Sequence, residues 1–154
     1  MQLTIRTADD MHALGRRVAA CAAPGTVIAV LGDLGAGKTV FSRGLGAGLQ
    51  VPTRVNSPTF VIVQSHPDGR LPFWHADLYR LDGLDSVEQL GLDEILEGDG
   101  VVAVEWPERC WECFPADRLE VHIADADDGR RVLLQATGPR HHKLLERLGH
   151  DEHP

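Results

Sequence analysis

Two kinds of hydrophobic pattern alternate along the chain. Short β-branched runs bounded by glycine or proline are typical of buried strands, whereas apolar residues three or four positions apart are typical of amphipathic helices. The clearest strand is T-V-I-A-V-L at residues 26–31, and V-V-A-V at residues 101–104 is a second buried run. The same reasoning predicts further strands at residues 2–6, 59–64, 71–78, 119–124 and 130–136.

Helices are predicted between these strands. Thr7 is a suitable N-cap, with Asp10 three residues later, for a helix that continues to about Cys21, which we expect in the core. Further helices are predicted from about 38 to 50 and from Pro139 onward, and residues 82–97 suggest two short helices or helical turns. The core-facing residues that helical spacing selects are Met11, Leu14, Val18, Phe41, Leu45, Leu49, Leu144, Leu145 and Leu148.

Turn residues at 66–69 and 125–129 separate neighbouring strands. They predict two antiparallel hairpins, one joining 59–64 to 71–78 and one joining 119–124 to 130–136. Elsewhere strands alternate with helices, which favours a parallel sheet. We expect one domain over residues 1–154, with a polar tail from about residue 150.

The charge balance excludes some partners. The chain has 154 residues and a formal net charge of −8, so it is a poor stand-alone binder of nucleic acid and is repelled by anionic membranes. It has no apolar run of membrane-spanning length and no signal-peptide layout, and its three cysteines suit a reducing compartment, so we expect a cytoplasmic protein. The scattered residues His141, His142, His150 and His153 are expected on the solvated surface.

Residues 32–39 read G-D-L-G-A-G-K-T, a complete G-x-x-x-x-G-K-[ST] phosphate loop between a strand and a helix. Its glycines let backbone N–H groups surround a phosphate, Lys38 is expected to reach the β- and γ-phosphates, and Thr39 is expected to ligate Mg²⁺. The loop and the alternation together predict a P-loop NTPase-like three-layer α/β/α fold with a mixed sheet containing antiparallel hairpins. The residues expected to bind the nucleotide are Asp33, Leu34, Gly35, Ala36, Gly37, Lys38, Thr39 and Val40.

Hydrolysis also needs a metal-side acid and a group that positions water. Glu105 follows the strand at 101–104, and parallel strands present their C-terminal ends to a nucleotide. Alternation in F-W-H-A-D-L-Y-R places His75, Asp77 and Tyr79 on one face. Asp77 is a candidate ligand of metal-bound water or catalytic base, whereas His75 alone is more typical of a structural histidine. Thr59 in S-P-T-F is a candidate γ-phosphate switch residue, with a simple turn as the alternative.

Five motifs occur together in a fixed order over about residues 7–122. They are G-D-L-G-A-G-K-T, S-P-T-F, H-A-D-L-Y-R, G-L-D-E and V-E-W-P-E. The set resembles the TsaE family, also called YjeE, of small bacterial ATPases in tRNA threonylcarbamoyladenosine synthesis. The resemblance implies that Lys38 is the phosphate-loop lysine and that Thr39 and Glu105 are on the metal side. It implies functional roles for Thr59, Asp77 and Trp106 as well.

The resemblance also implies cofactors and partners. The family hydrolyses ATP with Mg²⁺ while bound to the TsaD–TsaB pair, and TsaD transfers the threonylcarbamoyl group to adenosine 37 of tRNAs that read codons starting with A. We therefore expect an ATPase that is weak alone, reaches tRNA only through the complex and does not act at a membrane. The acidic charge fits this expectation, because the partners would hold most of the tRNA.

Three other classes of protein remain as alternatives. A small-molecule kinase would need an arginine-rich lid, for which Arg43, Arg54 and Arg80 are the candidates, but no lid segment stands out. A regulatory GTPase would need an N-K-x-D-like segment, which the chain lacks. A nucleotide-binding module without turnover is disfavoured, weakly, by the pair Asp77 and Glu105.

Cys110 and Cys113 form a C-x-x-C that departs from the family pattern. A zinc site needs two further ligands, and no second C-x-x-C or H-x₃-H exists. A redox pair would favour a helix N-terminus in a thioredoxin-like fold. We therefore expect incidental cysteines, with zinc and redox roles as the alternatives.

Overall fold

One sheet runs through the protein, and helices cover both of its faces. The computed structural model describes residues 1–52, 55, 62–81 and 90–151. The strands are β1 (Gln2–Ile5), β2 (Val27–Leu31), β3 (Val63–His66), β4 (Phe73–Asp77), β5 (Val101–Glu105), β6 (Leu119–Ala126) and β7 (Gly129–Ala136). The helices are α1 (Ala8–Ala20), α2 (Lys38–Gly48), α3 (Leu92–Glu97) and α4 (Pro139–His150), and a 3₁₀ segment spans Pro107–Cys113.

Within these residues the seven strands form a mixed sheet in the order β1-β7-β6-β2-β5-β4-β3. The central neighbours β6, β2, β5 and β4 are parallel, and the outer pairs β1–β7, β7–β6 and β4–β3 are antiparallel. This arrangement confirms the predicted α/β fold with two hairpins. The strand predicted at 59–64 is observed from Val63 to His66, and residues 59–61 lie outside the described part of the chain.

The alternating side chains of β2 divide the core into two layers. Ile28 and Val30 pack with apolar residues of α1, α2 and α4 on one face of the sheet. Val27 and Ala29 pack on the other face with residues of α3 and the 3₁₀ segment. Because both faces are covered, β2 is apolar throughout and β5 is apolar as far as Glu105, as buried parallel strands in three-layer folds are. The predicted α/β/α layering is therefore confirmed.

Helices α1 and α2 approach each other closely through glycine. Helix α1 begins after Thr7, whose Oγ1 accepts a hydrogen bond of 3.0 Å from the backbone N–H of Asp10. A Cβ atom at Gly15 would overlap the carbonyl oxygen of Phe41, and one at Gly44 would overlap that of His12. The glycines that weaken α2 intrinsically thus bring its backbone against α1.

The short helical region before β5 is described in part. Helix α3 covers Leu92–Glu97, and residues 82–89 of the predicted pair of helical turns lie outside the described residues. Helix α2 ends at Gly48, two residues before the predicted end. In the part of the chain that the structure describes, no helix is long and apolar enough to cross a bilayer.

Helix α4 begins at Pro139 as predicted, but its first histidine is not on the surface. His141 is 1 % exposed; its Nδ1 is 2.7 Å from Oδ1 of Asp117, and its Nε2 accepts a 3.0 Å hydrogen bond from the backbone N–H of Val27. The surface prediction is wrong for His141, because it shares a helical face with the buried Leu144 and Leu148. The prediction holds for His142 and His150, which are exposed, and His153 lies outside the described residues.

Cys110 and Cys113 form a disulfide within the 3₁₀ segment, with Cα atoms 5.6 Å apart. This segment folds the two side chains together, and the expectation that the cysteines are incidental stays a prediction. Both sulfur atoms are engaged with each other, so the pair does not supply two zinc ligands here. Cys21 remains a free thiol in the core, as predicted, and burial raises its pKa, with the charge of Asp151 acting in the same direction.

Candidate functional site

The glycine-rich loop lies between β2 and α2, at the C-terminal edge of the central strands. Gly35 (φ 76°) and Gly37 (φ 111°) adopt left-handed backbone conformations that side chains other than glycine disfavour. The loop curls around the side chain of Lys38, whose Nζ donates hydrogen bonds to the carbonyls of Gly32 (2.6 Å) and Asp33 (2.8 Å). The sequence thus folds as the strand, loop and helix that a phosphate loop requires.

Lys38 is 5 % exposed and lies among acidic groups. Burial lowers its pKa, whereas the negative charges of Glu105 and Asp77 oppose that shift. Its Nζ is also 4.4 Å from the centre of the Trp106 ring, which provides a cation–π contact. The ammonium is therefore held near the mouth of the loop, where an anion would relieve its desolvation.

Glu105 and Asp77 occupy the C-terminal ends of the neighbouring parallel strands β5 and β4, directly opposite each other. Glu105 is 2 % exposed, and its Oε1 lies 3.4 Å from the hydroxyl of Thr39 at the start of α2. Its Oε2 lies 2.5 Å from Nε2 of His75, which is fully buried. The parallel register therefore brings His75, Asp77 and Glu105 to the sheet face that α2 covers.

Asp77 lies beside this pair, and its carboxylate accepts a hydrogen bond from the backbone. Burial raises the pKa of its carboxyl; the Tyr79 N–H, which donates to Oδ1 at 3.0 Å, lowers it, and the Glu105 charge raises it again. The charges of His75 and Lys38 act in the lowering direction. An aspartate with a raised pKa beside a phosphate loop is suited to binding or moving a proton on water.

Trp106 follows Glu105 in an unusual backbone conformation. Its φ and ψ of 58° and 49° are left-handed, which costs free energy for a residue with a Cβ atom. The turn places the indole over Lys38 and against the ring of Tyr79, with ring centres 4.9 Å apart. Residues with strained backbone conformations cluster at functional sites. Trp106 is such a residue, and it lines the pocket beside the loop.

One pocket of about 280 Å³ unites most of the predicted site residues. Its lining consists of Leu34, Gly35, Gly37, Lys38, Thr39, Val40, Asp77, Glu105 and Trp106. Asp33 contributes its carbonyl to Lys38 and is otherwise exposed, whereas Ala36 is buried and faces a second pocket. Thr59 lies outside the described residues, so its predicted switch role stays a prediction.

The second pocket, of about 260 Å³, lies on the other side of the loop. It is formed by residues 5–8 and Met11, by the loop backbone at 35–37, and by Arg130 of β7. Nε of Arg130 donates to the carbonyl of Ala36 at 3.2 Å, and its Nη2 lies 3.5 Å from the carbonyl of Gly35. Sequence reasoning missed Arg130, because no motif connects the second hairpin to the loop.

The donors at this site fit a hard cation that is shared with a phosphate. The Thr39 hydroxyl and the Glu105 carboxylate both offer oxygen, the ligand that Mg²⁺ prefers. Among the described residues, no group of three or more His, Cys, Asp or Glu side chains could hold a metal ion unaided. Mg²⁺ commonly binds through one or two protein groups together with nucleotide phosphates, so this sparse donor set is suitable.

The fold and the loop together define a protein of the P-loop class. A family model described as "Threonylcarbamoyl adenosine biosynthesis protein TsaE" matches residues 5–133. The chain is 44 % identical to a tRNA threonylcarbamoyladenosine biosynthesis protein TsaE from Bacillus subtilis (strain 168), over 97 % of this chain and 96 % of that protein. It is therefore a member of the TsaE family.

Two further similarities support the same relationship. A protein of the same description from Streptomyces coelicolor is 45 % identical over 139 residues, which cover 84 % of this chain and 93 % of the relative. The crystal structure of YdiB from Bacillus subtilis superposes with a TM-score of 0.84 and 35 % identity, over 99 % of this chain and 94 % of that one. The alignment thus extends over nearly the whole fold.

Proposed function

We propose that the protein is an Mg²⁺-dependent ATPase required for threonylcarbamoylation of adenosine 37 in tRNAs that read ANN codons. In this proposal residues 1–154 form one domain, and the protein works in the cytoplasm. It acts on a complex of TsaD and TsaB, and that complex holds the tRNA. The observation that carries the proposal is the single pocket that Lys38, Thr39, Asp77, Glu105 and Trp106 share with the glycine-rich loop. Family membership connects that site to threonylcarbamoyladenosine synthesis.

In this proposal the loop backbone from Asp33 to Val40 binds the phosphates of ATP. Lys38 exchanges its carbonyl partners for the β- and γ-phosphates, whose negative charge compensates for the desolvation of the ammonium. Thr39 and Glu105 hold Mg²⁺, which supplies charge neutralisation at the transferring phosphoryl group. The proximity of the two oxygen donors, with the Thr39 hydroxyl 3.4 Å from Oε1 of Glu105, supports these assignments.

Asp77 and Trp106 have different proposed duties. Asp77 positions the attacking water, because its carboxylate lies at the end of β4 beside Glu105. Trp106 holds Lys38 in place and shields it from water with its ring. The proposed base-binding region is the second pocket beside Thr7, since it adjoins the loop and is lined by both apolar and backbone groups.

The experiment that tests the proposal is a steady-state assay of phosphate release from ATP, with and without a TsaD–TsaB pair from the same organism. We expect slow turnover by the protein alone and a rise of at least about tenfold with the pair. GTP serves as the nucleotide control, and phosphate on a metabolite instead of free phosphate would indicate a kinase. No stimulation by the pair would contradict the proposal.

Variants separate binding from hydrolysis in the same assay. Lys38→Ala should abolish binding of ATP, and Glu105→Ala should reduce Mg²⁺-dependent hydrolysis more than nucleotide affinity. Glu112→Ala is a matched control, because Glu112 is an exposed acid seven residues further along the chain and is not among the charges that act on Lys38. If Glu105→Ala and Glu112→Ala hydrolysed ATP equally well, Glu105 would have no place on the metal side.

A further inference from the structure

A buried hydrogen-bonded pair, His75 of β4 and Glu105 of β5, lies beneath the proposed metal side of the site. We infer that His75 is a positioning residue: it binds Oε2 of Glu105 and thereby directs the other carboxylate oxygen to Thr39 and the nucleotide. The Nε2–Oε2 distance is 2.5 Å, and the Oε1–Oγ1 distance to Thr39 is 3.4 Å. The inference rests on the proposed function, because it gives His75 its role through Glu105.

The strand register shows why His75 controls the carboxylate. Glu105 pairs with Asp77 across the two strands, and His75 pairs with Ala103 one step earlier on the same face. The Glu105 carboxylate therefore reaches back along β4 to meet the imidazole. At 3.4 Å the contact with Thr39 is long for a hydrogen bond between oxygens, so the short contact with His75 fixes the orientation.

The surroundings of His75 hold its ring still. The ring is fully buried and lies nearly parallel to that of Phe73, with an interplanar angle of 6° and ring centres 6.4 Å apart. Within the described residues its Nδ1 has no hydrogen-bond partner. Because a carboxylate only accepts hydrogen bonds, Nε2 is the donor, and this bond is the polar contact that justifies a histidine inside the core.

The role proposed for His75 is one that residues hydrogen-bonded to metal ligands have in other proteins. Ligating carboxylates are commonly oriented by hydrogen bonds from a second group, and removal of such a group costs about 10- to 100-fold in metal affinity or activity. Loss of the hydrogen bond that orients Glu105 should therefore weaken the steps that depend on Mg²⁺. It should leave metal-free nucleotide binding unchanged, because His75 is not among the residues that line the pocket beside the phosphate loop.

The decisive comparison is His75→Gln against His75→Asn. A Gln amide nitrogen occupies nearly the position of Nε2 and can still donate to Glu105, whereas an Asn amide nitrogen occupies that of Nδ1 and cannot reach it. Two readouts are compared: kcat and KM for ATP with the TsaD–TsaB pair, and binding of a non-hydrolysable ATP analogue in Mg²⁺ and in EDTA. In His75→Asn we expect kcat to fall by about tenfold or more and the gain in affinity from Mg²⁺ to disappear.

His75→Gln should retain kcat within about threefold and keep the Mg²⁺ effect, and both variants should bind the analogue normally in EDTA. The inference is overturned if His75→Asn keeps the wild-type kcat and Mg²⁺ effect, or if both variants lose them equally. Equal loss of binding in EDTA would also overturn it, since that indicates general damage. If Mg²⁺ did not change the affinity of the wild-type protein for the analogue, the proposed function itself would be contradicted. This inference would then be contradicted as well, because it rests on that function.

A measurement on the apo protein decides the case even if His75→Asn fails to fold. Long-range ¹H–¹⁵N correlation spectra report which ring nitrogen carries the proton, and the His75 signals are assigned by their absence from His75→Gln. We expect the Nε2–H tautomer in the wild type and a shift of its ring ¹⁵N signals in Glu105→Gln. An Nδ1–H tautomer, or signals that do not respond to Glu105→Gln, would overturn the inference.

Discussion

The Nζ of Lys38 lies 4.4 Å from the centre of the Trp106 ring while it donates hydrogen bonds to the loop carbonyls. The ring reaches this position because Trp106 adopts a left-handed backbone conformation at the end of β5 and packs against Tyr79. The indole face attracts the ammonium, and the ring also excludes water from it. The lysine of the glycine-rich loop is therefore positioned by the residue that directly follows β5, the strand that supplies the proposed metal-side acid.

Trp106→Ala should weaken binding of ATP, because Lys38 then loses its ring contact. We expect a loss of about 1 kcal/mol, or about fivefold in Kd, with Trp106→Phe close to the wild type. Titration calorimetry with a non-hydrolysable ATP analogue measures the change. Trp111→Ala is the control, because Trp111 contacts Phe114 and Arg118 instead of the loop. Equal affinities of Trp106→Ala and wild type would contradict the role of the ring.

Arg130→Ala should also weaken nucleotide binding, for a different reason. Arg130 donates to loop carbonyls from the second hairpin, so its removal leaves the loop less ordered before phosphate binds. We expect a cost of about 1 kcal/mol, seen as about fivefold weaker binding of a fluorescent ADP analogue. Arg131→Ala removes the same charge from an exposed neighbour on β7. An equal loss in Arg131→Ala would indicate a general charge effect in place of a contact with the loop.

Local patterns predicted most of the fold and the centre of the site. The β-branched runs of β2 and β5 and the phosphate loop after β2 are local signals, so strand, loop and helix follow directly from sequence. Glu105 was predicted to act near the loop because parallel strands end at one edge, and Asp77 was selected by alternation along its own strand. The register places the two residues opposite each other. In both cases neighbouring residues carried the information.

Contacts between distant residues could not be predicted in the same way. Arg130 reaches the loop across 94 positions of sequence, and His141 reaches Val27 across 114. Neither contact leaves a local pattern, although the helical spacing of His141 with Leu144 and Leu148 was a signal of burial. His75 was placed on the correct strand face, but its hydrogen bond to Glu105 depends on the neighbouring strand being β5.

Asp77→Asn should stabilise the folded protein at neutral pH. Burial raises the pKa of Asp77 in the folded state above its ordinary value of 3.8, so folding favours the protonated carboxyl. The stability that the protonated group contributes is present below pH 3.8 and is lost as the pH rises through the raised pKa. Urea unfolding should therefore show that Asp77→Asn is more stable than wild type near neutrality, with the difference shrinking as the pH falls.

The control for this measurement is Asp128→Asn, in the exposed turn before β7. It makes the same chemical change without removing a buried charge, so its stability should follow that of the wild type at every pH. A stability difference for Asp77→Asn that stays constant with pH would show that the amide acts by packing, and not by removing an ionised carboxylate. Increased stability together with lost turnover would be typical of a functional charge.

The buried His141 should make the protein less stable in mild acid. Burial lowers its pKa, against the opposing effect of Asp117, so the neutral ring is favoured in the folded state. The neutral ring donates from Nδ1 to Asp117 and accepts at Nε2 from the Val27 N–H, and protonation replaces that acceptor with a donor. The resulting stability is present above pH 6.5, the ordinary value, and is lost as the pH falls through the lowered pKa.

Urea unfolding from about pH 7 to about pH 5 tests this dependence in three variants. His141→Ala leaves the Val27 N–H buried without its acceptor and should cost about 2 to 3 kcal/mol near neutrality. His141→Gln can still accept from Val27 but does not titrate, so its stability should change less with pH than that of the wild type. His142→Gln, at the exposed neighbouring position, should retain the wild-type slope. A wild-type slope in His141→Gln would show that another group causes the acid sensitivity.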